Sequence, residues 1–221
     1  MTVDRTIAFI DMAGFTALTG AHGDDAALEV VDSFTDAASA AVKSAGVELV
    51  KTIGDAVMLA AIEPSAVLNA VRPLFEACLA IDSFPELRAG IHHGPVISRD
   101  GDYFGATVNL AARVTGRASS GQTLGTIAIF EAAKAVGIDT IDLGWHELRN
   151  VADPVQLWAI ELSPTEVEFS VDPVCRMRLS RDAAIGHIRH NGVEHWLCSL
   201  KCIQAFTSDP ERYLSSQNRK P

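Results

Sequence analysis

"FIDMAGFTALT" (9–19) ends an apolar run on a single acid, Asp11, and follows it at once with Met-Ala-Gly-Phe-Thr. Residues 4–11 read as a buried strand, and a carboxylate at the tip of such a strand costs desolvation energy unless a cation meets it. Gly14, Phe15 and Thr16 then read as a helix start, whose unpaired amides and positive dipole end favour an anion. An acid at a strand end, followed at once by an anion-attracting helix start, raises the question of what cation Asp11 holds.

The chain beyond repeats the alternation of strand and helix. Ala27, Val30, Val31, Phe34, Ala38 and Ala41 recur every three or four residues, which predicts a helix from Asp24 to about Ser44. "GVELVKTIGDAVMLAAI" (46–62) predicts two strands joined at Ile53-Gly54, and 64–81 predicts a helix opened by Pro64. "LRAGIHHGPVIS" (87–98) predicts a second hairpin turning at His93-Gly94, with His92 and His93 as structural residues beside the turn. "RDGDYFG" (99–105) reads as a loop, 105–117 as a helix, and short strands near 122–126 and 139–147 flank another helix. Residues 155–161 alternate as a last strand. This order predicts an α+β sandwich, an antiparallel sheet with helices on one face. "LSPTEVEFSVDP" (162–173) is polar and aperiodic and reads as a linker. The unit of about 45 residues after it is too small to fold without a metal or a partner surface.

Composition narrows the function. Net charge is −10, and 21 of the 28 acidic residues precede residue 165, so no basic patch invites nucleic acid. Mean hydropathy is +0.18 and no apolar run approaches the roughly 18–20 residues that cross a bilayer, so no membrane partner is expected. Asp4 and Arg5 stand where a signal peptide would be apolar, and the expected location is cytoplasmic. Of four cysteines, Cys78 sits in an apolar helical stretch and reads as core. Cys175, Cys198 and Cys202 cluster, which in the cytosol favours metal or redox chemistry over disulfides.

Asp11 and Asp55, each at a strand end or hairpin tip, make a hard all-oxygen site suited to Mg²⁺ or Mn²⁺ with phosphates completing the shell. Lys51 precedes Asp55 by four residues, Asp102 lies in a glycine-bounded loop, and Asn109 and Arg113 share one helix face. Taken singly, each has an ordinary reading as a turn-former, a solvated lysine or a surface pair.

Together, "AFIDMAGFTALT", "VKTIGDAVMLA" and "GDYFGATVNLAAR" resemble the three signature blocks of the class III nucleotidyl cyclases, the adenylate and guanylate cyclase catalytic domain. The resemblance covers about residues 4–161. It implies a ferredoxin-like antiparallel-sheet sandwich over 1–162, two divalent ions per site, and a head-to-tail homodimer. Asp11, Asp55 and the Met12 carbonyl match metal ligands, and Gly14, Phe15 and Thr16 match the phosphate-cradling helix start. Lys51 and Asp102 match the base-selecting pair, Asn109 the ribose-orienting residue and Arg113 the transition-state arginine. Adenine's N1 acceptor and 6-amino donor complement a lysine and a carboxylate, whereas guanine's 6-carbonyl would face the carboxylate, so ATP is the expected substrate. The implied reaction is in-line attack of the ribose 3′-hydroxyl on the α-phosphorus, giving cyclic AMP and pyrophosphate. In "LRNVADPV" (148–155) the chain departs from the family: Val151 stands where many members place a phosphate-binding lysine, Asn150 replaces the preceding glycine, and Arg149 would point away. A catalytically weak or inactive cyclase-like domain, serving as a nucleotide-binding or dimerising regulator, is the alternative.

"DPVCRMRL" (172–179) and "HWLCSLKCIQAFTSDPERYL" (195–214) resemble a YHS domain, a treble-clef-like metal-binding module, over 171–214, after a linker at 163–170 and before a tail at 215–221. Phe206, Pro210 and Tyr213 match its closing motif, while Arg176 fills a place usually held by glycine. Cys175, Cys198 and Cys202 supply thiolates for Zn²⁺ or Cu⁺, with His187, His190 or His195 as the expected fourth ligand.

Overall fold

The apolar run before Asp11 becomes the middle of a sheet. In the computed structural model, which describes residues 1–43, 45–162 and 169–214, β1 (Thr2–Met12) has Ile7, Ala8 and Ile10 wholly buried. Helices α1 (Phe15–His22) and α2 (Asp24–Val42) follow, then β2 (Glu48–Ile53), β3 (Ala56–Ala61) and α3 (Pro64–Leu79). Next come β4 (Leu87–Arg99), β5 (Asp102–Phe104), α4 (Ala106–Arg117), β6 (Thr123–Gly125), α5 (Ile127–Ala135), β7 (Thr140–His146) and β8 (Val155–Ile160). The strands form one eight-stranded sheet in the order β2-β3-β1-β4-β6-β8-β7, with β5 added on β4. Gly54, at φ 61, makes the β2–β3 turn that its lack of a Cβ allows.

Three expectations change. Residues 87–99 are a single strand, not a hairpin. Gly90 and Gly94 are there for close packing rather than for turning: a Cβ on Gly90 would lie 2.1 Å from the Thr115 backbone nitrogen, and one on Gly94 2.9 Å from Thr107 Oγ1, both on α4. The two histidines are locked in mid-strand, His92 Nδ1 bonded to Thr126 Oγ1 at 2.8 Å and His93 Nδ1 to Thr6 Oγ1 at 2.9 Å. The hairpin lies one element later, where Asp100 (φ 52) and Gly101 (φ 75) form a two-residue turn that pairs Arg99 with Asp102. Finally, the sheet is mixed rather than antiparallel, because β6 runs parallel to β4 and α4 supplies the crossover that a parallel pair requires.

The chain's contacts divide it into two compact units. The described residues of the first are 1–11, 34–43, 45–78 and 87–162; those of the second are 12–33, 79–86 and 169–214. The second therefore contains α1 and the start of α2 together with β9 (Ser170–Val171), β10 (Arg178–Leu179), β11 (Gly186–His190), β12 (Val193–Leu197), α6 (Leu200–Ser208) and α7 (Pro210–Leu214). Its core joins Leu18, Ala21 and Ala27 to Val174, Leu197 and Phe206. Backbone bonds add to this, Ala13 N to Glu86 O at 2.8 Å and Arg178 N to Phe84 O at 3.2 Å. The small C-terminal segment thus gains the apolar surface it lacks from α1. Most of the expected linker (163–168) and the tail (215–221) lie outside the described residues. Cys78 is buried within α3. Among the described residues, no helix is long and apolar enough to cross a membrane.

Candidate active site

The register of β1 against β3 pairs Asp11 with Ala56, next to Asp55 on the β2–β3 turn, so the two carboxylates become neighbours. Burial, reinforced by the charge of Asp11, pushes the Asp55 carboxyl above the usual carboxylate range. The cation that meets Asp11 within the chain is Arg88, at the start of β4, donating to Asp11 Oδ2 from Nε at 3.0 Å and from Nη2 at 2.5 Å. Sequence reading missed Arg88, because only the placement of β4 beside β1 brings it there. Two adjacent carboxylates, one of them resisting ionisation, form a donor set that a divalent oxygen-seeking cation fits and stabilises.

Lys51 and Asp102, 51 positions apart, meet directly. Lys51 Nζ donates to Asp102 Oδ2 at 2.5 Å, and this bond holds the Asp102 carboxyl below the usual range. A register shift between Leu49 and Lys51 in β2 re-aims the lysine. Asp102 Oδ1 also accepts the Tyr103 amide at 2.8 Å, and the Tyr103 hydroxyl donates to Glu48 at 2.9 Å. Donor and acceptor thus stand side by side, and Asp102 also lines an open groove with Ile97, Arg99, Asp100 and Phe104.

Asn109 and Arg113 behave differently. Both lie exposed on α4, and among the described residues neither side chain has a hydrogen bond or ion pair. Among the described residues, no hydrogen bond or ion pair joins them to Asp11 or Asp55. Val151 packs against the cluster of Val114, Leu124, Leu148 and Leu157 and so faces an apolar core. Asn150 adopts φ 61, the left-handed conformation that suits glycine or asparagine, and Arg149 is exposed.

Met12, Gly14, Phe15 and Thr16 belong to the second unit. Met12 is buried, and Gly14 turns the chain into α1 at φ 79. No side chain caps α1; Gly14 O accepts the Ala17 and Leu18 amides at 2.9 and 3.0 Å. The first amides of the helix, those of Phe15 and Thr16, precede any intrahelical partner.

The second unit also gathers the three clustered cysteines. Cys198 Sγ lies 3.4 Å from Cys175 Sγ and 3.7 Å from Cys202 Sγ, and all are free thiols. The imidazole that joins them is none of the three expected. His187 faces Glu194 at 3.6 Å, His190 meets Glu211 at 3.0 Å, and His195 packs on Phe206. Instead His22, in the last turn of α1, places Nε2 3.4 Å from Cys198 Sγ. Hydrogen bonds from Cys175 and Cys198 draw the Cys202 thiol well below the usual thiol range, while the bond to Cys198 holds the Cys175 thiol up. No local spacing could have named His22, which is 176 residues from Cys198.

A family model described as the adenylate and guanylate cyclase catalytic domain matches residues 2–157. A pH-sensitive adenylate cyclase of Mycobacterium tuberculosis is 35% identical over 167 residues, 72% of this chain and 41% of the relative. An adenylate cyclase of Streptomyces coelicolor is 41% identical over 115 residues, 51% of this chain and 30% of the relative. The chain therefore spans less than half the length of either. Among solved structures, an adenylate cyclase of Trypanosoma brucei in its monomeric state superposes with a TM-score of 0.68 at 25% identity, covering 80% of this chain and 93% of that one.

Proposed function

The chain belongs to the adenylate and guanylate cyclase catalytic domain family, and on that premise we propose that it is an adenylate cyclase, converting ATP to 3′,5′-cyclic AMP and pyrophosphate in a homodimer. The observation that carries this reading is the pairing of Asp11 with Asp55 at the tip of neighbouring strands, with the Lys51–Asp102 pair formed in the same unit. Residues 1–162 form the catalytic domain in this reading, and 171–214 a YHS module holding a soft metal through Cys175, Cys198 and Cys202.

Asp11, Asp55 and the Met12 carbonyl would hold two Mg²⁺ or Mn²⁺ ions. Such ions, when bound, acidify the ribose 3′-hydroxyl and offset the triphosphate charge. Each remaining role falls to this chain. The Gly14–Thr16 amides receive phosphate oxygens at the α1 start. Lys51 donates to adenine N1, and Asp102 accepts from the 6-amino group, which discriminates against guanine. Asn109 orients the ribose, and Arg113 meets the charge that grows on the α-phosphoryl oxygens, a contribution of a few kcal/mol. In this reading a second copy supplies Asn109 and Arg113, which are exposed on α4 and without a side-chain partner among the described residues, to each carboxylate pair. Val151, partly buried against an apolar cluster, stands where a phosphate cation is missing, which favours weak triphosphate affinity.

The test is turnover by the purified chain with Mn²⁺ or Mg²⁺ and ATP or GTP, the products separated by chromatography. Cyclic AMP formation that disappears in Asp55→Ala, with GTP a poor substrate until Asp102 is changed, is the expected result. No turnover of either nucleotide would instead leave a cyclase-like regulator.

A further inference from the structure

We propose that His22 completes a closed four-ligand Zn²⁺ site with Cys175, Cys198 and Cys202, and that this site clamps helix α1 to the C-terminal segment. The ligand set is assembled from two stretches of chain more than 150 residues apart, yet the four donor atoms all lie within 4.8 Å of one another. Tetrahedral Zn²⁺ with bonds of about 2.3 Å to sulfur and 2.0–2.1 Å to nitrogen sets its donors roughly 3.5–3.8 Å apart. The separations from Cys198 Sγ are 3.4 Å to Cys175, 3.7 Å to Cys202 and 3.4 Å to His22 Nε2. A disulfide would need about 2.05 Å. Three thiolates and one imidazole with no open position match a structural zinc centre rather than a catalytic one, and exclude hard cations.

The surroundings are built to hold those donors. Asp172, wholly buried, accepts the Val174 and Cys175 amides at Oδ1 (2.8 and 3.3 Å) and the Cys198 amide at Oδ2 (2.8 Å). One carboxylate thus fixes both cysteine loops, as an outer-shell partner does. Ser199 caps α6 by accepting the Cys202 amide at 3.1 Å, which sets Cys202 in the first turn, toward Cys198.

The same loop touches the other end of α1. Arg176, next to the ligand Cys175, adopts φ 65 and lays its side chain over Gly14, where an added Cβ would meet Arg176 Cγ at 2.3 Å. Its Nη2 faces Glu86 at 3.5 Å. The helix of eight residues is therefore gripped at His22 by coordination and at Gly14 by the residue beside a ligand. Metal loading fixes the helix whose first amides the proposed function assigns to the phosphates, so occupancy becomes a control on nucleotide binding. That consequence rests on the cyclase reading; the site itself does not.

The experiment uses the full chain without nucleotide. Zinc stoichiometry after dialysis, Co²⁺ substitution spectra and hydrogen exchange of the α1 amides are measured for wild type, His22→Ala, His22→Cys and Cys198→Ser. The expected results are one Zn²⁺ per chain and a thiolate-rich tetrahedral Co²⁺ spectrum. His22→Ala should weaken zinc by more than the about 10–100-fold that an outer-shell change costs, and His22→Cys should restore it as a four-thiolate site. Exchange over 15–22 should speed up in His22→Ala and in chelated wild type, while 186–197 stays protected. Zinc affinity unchanged in His22→Ala, absence of stoichiometric zinc in wild type, or α1 protection indifferent to chelation would each overturn the proposal. A protein that binds zinc this way yet makes no cyclic AMP would sink the cyclase reading alone.

Discussion

Two inactive variants, Asp55→Ala and Arg113→Ala, should restore each other when mixed. Asp55 sits on the β2–β3 turn beside Asp11, whereas Arg113 is exposed on α4 with no side-chain partner among the described residues of its own chain. In a two-fold dimer with shared sites, random pairing makes half the dimers mixed. Each mixed dimer has one site lacking both groups and one site intact, so an equimolar mixture recovers about a quarter of wild-type turnover. Removing a charge-stabilising group costs about 10²–10³-fold; the Arg113→Ala homodimer alone therefore falls below about 1%. The mixture should exceed it at least 25-fold or so, a gap that chromatography of cyclic AMP at saturating Mn²⁺ reads easily. Activity plotted against mixing ratio should trace a parabola peaking at equal amounts. Differently tagged variants that demonstrably exchange subunits, yet show only the average of their separate rates, would refute the shared site.

Other perturbations bear on single residues. Arg88→Ala removes the cation that competes with metal for Asp11, so half-saturating Mn²⁺ should fall at pH 8, while the metal-free protein loses roughly 1 kcal/mol for a partly exposed pair; a higher Mn²⁺ requirement would show that Arg88 is no competitor. Because burial and the Asp11 charge raise the Asp55 carboxyl, its contribution to stability is complete below the unfolded value of about 4 and is lost as pH rises through the folded one. Metal-free Asp55→Asn should accordingly melt higher than wild type near neutrality, with the gap closing in acid; calorimetry across pH checks the sign. Catalysis runs the other way, since the cation needs the ionised carboxyl: turnover should decline on acidification already above the usual carboxylate range, and excess Mn²⁺ should move that decline to lower pH. Gly90→Ala drives a Cβ to 2.1 Å from the Thr115 backbone and should cost about 1–3 kcal/mol or more. Gly101→Ala meets no neighbour within 4 Å and should lose only about 1 kcal/mol for its positive φ, as thermal melts would show.

Local pattern made much of this molecule legible. Periodicity marked α2, Pro64 the start of α3 and Gly54 the β2–β3 turn, because each depends on neighbours within a few residues. The hairpin at His93-Gly94 failed for an instructive reason: glycine signals a turn, but Gly90 and Gly94 answer instead to a helix more than ten residues away. The same distance hid Arg88 and His22. Both are ordinary in sequence, and they acquire partners only through sheet order or helix packing. Lys51 and Asp102 were legible only through the resemblance of whole motifs, since no spacing rule joins positions 51 apart.

The core shared by Leu18 and Ala21 with Val174, Leu197 and Phe206 changes how this protein can be dissected. A chain ended at Leu162 would keep both Asp11 and Asp55 yet bare an oily stripe on α1 that water has never had to wet. Such a fragment would clump or slacken, and its poor turnover would be mistaken for loss of a regulator. The C-terminal segment is better regarded as late-arriving mortar for an early helix than as a detachable passenger.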